Sequence, residues 1–148
     1  MRSVVQRVSR SSLTVDSAQL AATEHGLVVL AGFAPDDQER DLQWMAEKLA
    51  GLRIFPDAEG RMNLSVVDVD GTVLAVPNFT LYGDCRKGKR PSFTEAAGPE
   101  LATGLFDSFC DLLARAVPVA RGVFGAHMHV ELVNDGPITL ILDSRRAS

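Results

Sequence analysis

The stretch Asn134-Asp135-Gly136-Pro137 constrains this chain more than any other. Strand-like apolar runs flank it, Val130 to Val133 before and Ile138 to Leu142 after. A strand would otherwise continue through it, yet Asp-Gly-Pro forces a sharp backbone feature. Gly136 reaches backbone angles closed to other residues, and Pro137 removes a donor and tolerates a cis peptide bond. Two readings stand at this point: a simple turn near the C-terminus, or a specialised backbone feature.

The chain around it reads as a single domain spanning residues 1–148, long enough to bury a substantial core without covalent staples. Residues 2–9 and 12–16 form two short β-like runs, with Val4, Val8, Leu13 and Val15 as core contacts. Gly26 to Phe33 is almost continuously apolar and fits a strand buried on both faces. Asp36 then caps a helix, with Glu39 in the capping-box position. Leu42, Met45, Ala46, Leu49 and Leu52 recur at helical spacing, and Gly51 ends the element. Residues 62–69 and 72–76 read as strands joined by Asp70-Gly71, a strong hairpin signal. A second helix runs from Pro99 to Ala116 and buries Leu101, Leu105, Phe109, Leu112, Leu113 and Ala116. Strands return at 119–124, 126–133 and 137–142. The expected class is α+β: a curved or barrel-like, mainly antiparallel or mixed sheet flanked by two helices.

Charge and composition narrow the chemistry. No apolar run is long enough to span a bilayer, and the N-terminus lacks a signal-peptide core, so a cytoplasmic protein is expected. The net charge of −4 argues against a general nucleic-acid coat, and no DNA or membrane partner is expected. Arg86, Lys87, Lys89 and Arg90 nevertheless place four cations within five residues, a pattern that suits either a solvated loop or phosphate contacts. Cys85 and Cys110 have no metal-binding spacing. His127, His129 and Glu131 share one face of an alternating run, the one arrangement that a metal-dependent hydrolase could use. Such a face is far more often plain outward polarity, so neither metal nor cofactor is assigned. No Gly-x-Ser-x-Gly elbow exists, and neither cysteine has a base beside it in sequence. In Pro77-Asn78-Phe79-Thr80, by contrast, Asn78 and nearby backbone N–H groups can receive a developing oxyanion, with Thr80 as a polar participant. The plainer reading makes Phe79 core and Thr80 an ordinary β-former.

Collinear segments along nearly the whole chain resemble the D-aminoacyl-tRNA deacylases. They include Val4-Val5-Gln6-Arg7-Val8-Ser9, Gly51-Leu52-Arg53-Ile54-Phe55, Met62-Asn63-Leu64-Ser65-Val66 and Phe79-Thr80-Leu81-Tyr82. The run Arg86-Lys87-Gly88-Lys89-Arg90-Pro91-Ser92-Phe93-Thr94-Glu95-Ala96-Ala97 belongs with them, as do Phe124-Gly125-Ala126 and Asn134-Asp135-Gly136-Pro137-Ile138-Thr139. The resemblance implies a homodimer that hydrolyses the ester joining a D-amino acid, and on this reading glycine, to tRNA. It implies that Gly136-Pro137 is a cis dipeptide whose carbonyls enter the partner subunit's pocket and occupy the volume of an L side chain. Arg7 would hold that dipeptide. Asn78, Phe79 and Thr80 would form the catalytic segment, which acts through backbone groups and the tRNA 2′-hydroxyl. Arg86, Lys87, Lys89 and Arg90 would meet acceptor-stem phosphates. An aminoacyl ester is already activated, so positioning and oxyanion donors suffice, and a missing triad is expected.

One departure stands out. Where the family has Ser-Gln, this chain has Pro77-Asn78. Asn is a methylene shorter than Gln, and Pro77 deletes an N–H. A proline here resembles a related animal group in which the Gly-Pro bond is trans and small L-residues enter. Two alternatives follow: a relaxed deacylase removing a small L-amino acid, and a non-catalytic aminoacyl-tRNA-binding paralogue.

Overall fold

The two short runs at the start of the chain are one long strand, β1 (Arg2–Val15), and the fold is built on it. The structure is a computed structural model and describes residues 1–146. Along one edge, β1 pairs antiparallel with β2 (Ala18–Thr23) through its C-terminal half and with β3 (Gly26–Gly32) through its N-terminal half. Its other edge pairs antiparallel with the last strand along almost the whole length. Next come helix α1 (Glu39–Gly51), the short strands β4 (Phe55–Pro56) and β5 (Met62–Leu64), and β6 (Thr72–Pro77). Helix α2 (Pro99–Leu113), β7 (Val119–Arg121) and β8 (Met128–Asp143) complete the chain. The main sheet runs β2-β1-β3-β6-β7, with β8 on the far side of β1, and curves into a nearly closed mixed barrel. The α+β class with two helices is as expected.

Strand periodicity separates two apolar layers. Leu27, Val29 and Ala31 of β3 and Val73 and Ala75 of β6 face the helices, packing with Leu42, Met45, Leu49, Phe106, Phe109 and Leu113. Val28, Leu74 and Val76 face the other way, with Val8 and Leu13, toward half-buried Leu30, Met128, Val130 and Leu132. Each fully buried Leu or Phe contributes about 1.5–3 kcal/mol. The first layer is sealed by the helices. The second opens into a cleft.

Several expectations are corrected. Asp70-Gly71 does not form a hairpin, because β5 pairs only with β4 while β6 runs parallel to β3. The chain turns through a reciprocal side-chain pair instead. The Ser65 N–H donates to the Asp68 carboxylate at 2.9 Å and the Asp68 N–H to Ser65 Oγ at 3.1 Å. Asp70 takes the left-handed conformation, with φ 53°, and Gly71 N–H closes the turn on the Val66 carbonyl at 2.9 Å. Parallel pairing then lets Val73 and Ala75 join the helix-facing layer, which outweighs the local turn preference. Helix α1 is not capped by Asp36. Gln38 is its N-cap, and Asp41 accepts from the Gln38 N–H at 2.9 Å. Asp36 instead binds Arg145 at 2.9 and 3.0 Å, which holds its carboxyl below the usual range.

Leu42, Met45, Ala46 and Leu49 form the expected stripe of α1, with Leu52 half-buried beyond it. Helix α2 is rotated from the expected face and ends at Leu113. Ala102, Phe106, Phe109, Cys110 and Leu113 are buried, whereas Leu101 is 47% exposed and Ala116 lies outside the helix on the surface. Phe106 and Phe109 meet Phe33 edge-on, both at 6.5 Å, which sets the helix rotation. Burial pushes the Cys110 thiol up to about 12. The three strands expected over 119–142 are two: β7 stops at Arg121, and β8 is continuous to Asp143.

Candidate functional site

At the end of β6 the chain leaves the sheet. Pro77 is the last strand residue, and the Asn78 N–H donates to the Ala31 carbonyl of β3 at 2.8 Å. One turn of 3-10 helix, Phe79–Tyr82, follows at once with Asn78 as its N-cap. Asn78 Oδ1 accepts from the Thr80 N–H at 3.2 Å and from the Thr80 hydroxyl. The Leu81 N–H points back at the Asn78 carbonyl at 3.4 Å. The Phe79 N–H begins the turn and has no partner among the described residues, as expected for the first donor of a helical turn. Phe79 is 48% exposed, so the core role of the plainer reading does not hold. Its ring stands edge-on to Phe93 at 5.0 Å. From the opposite side Arg2 steadies the turn: its guanidinium lies 4.5 Å over the Tyr82 ring while Nε meets Asp143 at 3.2 Å.

This turn forms one wall of a cleft of about 1040 Å³. Asn78, Phe79 and Phe93 lie on that side, and Phe124, Ala126 and Met128 face them. The floor is the second apolar layer, Leu30, Val76, Val130 and Leu132. Of the lining residues only His127 is titratable, and no carboxylate is among them. Gly122 sets the distance between the walls, because a Cβ there would lie 3.0 Å from both Pro77 Cδ and Met128 Sδ. Pro77 therefore packs against the opposite wall.

The basic segment closes over the same end of the molecule. Asp84 and Ser92 exchange backbone hydrogen bonds of 2.7 and 2.9 Å at its base, and Gly88 takes a positive φ of 63° within it. Arg86, Lys87, Lys89 and Arg90 are all exposed, and Phe93 just beyond joins the loop to the cleft. Arg86 is not a bare cation. Its guanidinium binds Asp84 at 2.9 and 2.7 Å and holds that carboxyl at about 2.

Gly136 and Pro137 lie outside the cleft of their own chain. The peptide bond between them is cis, and both residues are exposed. The bond sits in a bulge: Gln6 pairs with Thr139 and Val8 with Asn134, so residues 135–138 of β8 all oppose Arg7 alone. Asn134 pins the bulge by donating from Nδ2 to the Arg7 carbonyl at 3.0 Å and to the Ile138 carbonyl at 2.9 Å. Arg7 is buried and donates to the Asp135 carbonyl at 3.1 Å and the Ile54 carbonyl at 2.7 Å, with the Asp135 carboxylate at 3.3 Å. Arg7 thus touches the dipeptide's neighbour.

His127, His129 and Glu131 do share an outward face. The two imidazoles lie 5.0 Å apart, and Glu131 accepts from Ser12 at 3.3 Å. Among the described residues no group of three or more His, Cys, Asp or Glu side chains is arranged to hold a metal ion. Sequence reasoning assigned no role to Phe93, Arg2 or Asn134. Asn134 alone had a local signal, an amide directly before Asp-Gly-Pro. The other two become visible only when distant segments meet.

The chain matches the family described as D-Tyr-tRNA(Tyr) deacylase over residues 4–143. It is 54% identical over 147 residues to a D-aminoacyl-tRNA deacylase of Thermotoga petrophila and 58% identical over the same length to one of Koribacter versatilis. In both cases 99% of each chain is covered. Among solved structures, c-Myc DNA Unwinding Element Binding Protein superposes with a TM-score of 0.92 at 38% identity, covering 97% of this chain and 98% of that one. A probable eukaryotic D-amino acid tRNA deacylase shares the fold, with a TM-score of 0.82 at 20% identity over 95% and 97% of the two chains.

Proposed function

The chain belongs to the D-Tyr-tRNA(Tyr) deacylase family, a hydrolase of aminoacyl-tRNA esters, and on that premise we propose that two copies complete each other's sites. In this reading Gly136-Pro137 of one subunit enters the cleft of its partner and fills the space that an L side chain would need. A D-residue points its side chain elsewhere and is accepted. Glycine has no side chain to exclude and is hydrolysed as well. The observation that carries the reading is the dipeptide's position: flanked by the hydrogen bonds of Asn134 and Arg7, yet exposed and outside its own chain's cleft. The outer edge of β8 supports it, because among the described residues β8 pairs only with β1 and leaves Ile141 79% exposed.

The chemistry needs little from side chains. The ester carbonyl oxygen accepts from the Phe79 N–H, which stabilises the charge that develops on it. Water attacks the carbonyl carbon of the already activated ester, and the bond from that carbon to the ribose oxygen breaks. The proton given up by the water passes to the leaving ribose oxygen, with the neighbouring 2′-hydroxyl of the tRNA orienting the water. Asn78, Phe79 and Thr80 are assigned to this segment, and Gly136, Pro137 and Arg7 to selection. No helix among the described residues is long and apolar enough to cross a membrane, and we place the enzyme in the cytoplasm, where tRNA is charged.

Deacylation of matched D-Tyr-, L-Tyr-, Gly- and L-Ala-tRNA tests the reading. D-Tyr- and Gly-tRNA should be hydrolysed, with L-Tyr-tRNA at least about 10²-fold slower, the level a steric exclusion of a few kcal/mol provides. Rapid loss of L-Tyr-tRNA or L-Ala-tRNA would return the relaxed-specificity alternative, to which Pro77-Asn78 pointed. Binding without turnover of any substrate would identify a non-catalytic paralogue.

Lys87, Lys89 and Arg90, with Arg86, are proposed to meet tRNA phosphates beside the cleft. Removing any one of the first three should weaken binding for all tRNAs alike and flatten the log–log salt dependence by roughly 0.7–0.9. Asp84→Asn should do the reverse. The Asp84 carboxyl titrates at about 2, so it stays charged and bound to Arg86 throughout neutral pH and releases it only as pH falls through that value. Its loss frees Arg86 and steepens the salt dependence. Filter binding across a salt series, with duplex DNA as competitor, reads both effects. Equal slopes in all variants would remove the loop from the tRNA interface.

A further inference from the structure

The turn that carries the Phe79 N–H is weakly held from within. It is a single turn of 3-10 helix, a geometry with poor internal hydrogen bonds. The Leu81 N–H reaches the Asn78 carbonyl only at 3.4 Å, and the Gly83 N–H meets the Thr80 carbonyl at 2.9 Å. Of the four turn residues only Tyr82 is buried. The seat of the turn lies on other strands. In register, Arg2 of β1 stands between Gly32 of β3 and Asp143 of β8, and such cross-strand partners share one face of the sheet. At Gly32 that face carries no side chain. A Cβ there would lie 2.9 Å from the Asn78 carbonyl oxygen, 3.1 Å from Leu81 Cβ and 3.3 Å from Tyr82 Cδ2. The turn therefore occupies the space that a side chain at Gly32 would fill.

Arg2 closes that seat from the side. Its guanidinium lies 4.5 Å over the Tyr82 ring, Nη1 donates to the Leu81 carbonyl at 3.4 Å, and Nε donates to Asp143 at 3.2 Å. Asp143 thus fixes the cation, and the cation fixes the buried end of the turn. Arg2 is not among the residues that line the cleft, so it acts on the reaction only through the turn. We propose that Arg2 is a positioning residue for deacylation: placed in one cross-strand row with Gly32 and Asp143, it holds the turn that presents the Phe79 N–H to the ester. The inference rests on the deacylase reading above and adds a residue outside the cleft to it. An oxyanion donor works by being aimed before the charge develops, so a small shift of the turn lowers the chemical step more than it lowers binding.

The test compares wild type, Arg2→Met, Arg2→Lys and Gly32→Ala on D-Tyr-tRNA. Tyr82 is the only tyrosine of the chain and Trp44 the only tryptophan. Ring-fluorinated tyrosine therefore gives one fluorine resonance, at the turn, while Trp44 fluorescence on α1 follows thermal unfolding. Arg2→Met should lower the single-turnover rate about tenfold, with affinity for a non-hydrolysable 3′-amide analogue changed by under about twofold. The Tyr82 resonance should broaden or split, and the melting temperature should stay close to that of wild type. Arg2→Lys keeps a cation for the ring and for Asp143, and should return the rate to within about threefold of wild type. Gly32→Ala pushes the same turn from beneath, so it should reproduce the rate loss and add little to Arg2→Met. A wild-type rate in Arg2→Met overturns the positioning role. So does a rate loss matched by equal loss of analogue affinity, or by a collapse of the melting temperature. Additive losses in the double variant overturn the shared seat. Failure of wild type to hydrolyse D-Tyr-tRNA would instead remove the deacylase reading itself.

Discussion

Gly136→Ala should slow deacylation of D-Tyr-tRNA by about 10²-fold or narrow its preference over L-Tyr-tRNA by a similar factor, the scale of a displacement near 1 Å at a reacting centre. Gly136 has a φ of +146°, which an L side chain rarely adopts. A Cβ there would lie 2.5 Å from the Ile138 nitrogen and 2.7 Å from its Cγ1. The first of these is backbone, so the bulge itself must yield and the exposed carbonyls shift with it. The rest of the domain is insulated, because residues 135–138 already stand outside the regular β1–β8 register. Thermal unfolding should therefore change far less than activity. Single-turnover hydrolysis of both enantiomers beside a melting curve separates the two. A variant with wild-type rate and wild-type discrimination would remove Gly136 from the selection mechanism.

Arg7→Met should act on stability and activity together. Methionine keeps much of the stem's volume but deletes the donors to the Asp135 and Ile54 carbonyls and the pairing with the Asp135 carboxylate. Asp135 is 54% exposed and water compensates much of the ion pair, so the hydrogen bonds of the buried guanidinium carry the effect. Charge-assisted bonds of this kind contribute about 1.5–3 kcal/mol each before relaxation, and a net loss of about 2–3 kcal/mol is expected. In a domain of this size that lowers Tm by roughly 4–12 °C. The anchor of the dipeptide is lost as well, so deacylation should fall by at least about tenfold. Arg7→Lys should not restore it, since an ammonium has no planar fork to bridge two carbonyls on separate segments. In a Gly136→Ala background Arg7→Met should add less activity loss than it does alone, because both act on one bulge. Full additivity would mean that Arg7 serves only the fold.

The segments of the candidate site are visible in the sequence. The Asn78-Phe79-Thr80 segment, the basic loop and Gly136-Pro137 each carry residues whose chemistry is visible in isolation. An amide, a ring and a hydroxyl follow a strand-ending proline, cations cluster in an acidic chain, and a glycine-proline pair interrupts two β runs. What stayed hidden was the cleft between them. Phe124 to Met128 reads as an ordinary strand approach, and Phe93 as one residue of a loop. Their role depends on Pro77 lying against Gly122 and Met128, a contact between segments more than forty positions apart in sequence. The Asp84 clamp likewise depends on the fold, because the Asp84–Ser92 bridge sets that carboxylate beside Arg86.

The sequence by itself determined what local rules can determine. Helical spacing set the buried stripe of α1, continuous apolarity made β3 a central strand, and Asn-Asp-Gly-Pro placed a backbone irregularity between residues 134 and 137. Those properties follow from periodicity and dihedral sterics, which act within a few residues. Only the tertiary structure decided that β6 lies parallel to β3, that α2 turns Phe106 inward and Leu101 outward, and that the dipeptide lies outside its own cleft. Each of these depends on which distant surface buries most apolar area, as with the register of β8 along β1 and the aromatic contacts of Phe33 with α2. The irregularity is local chemistry. The direction in which it points belongs to the fold.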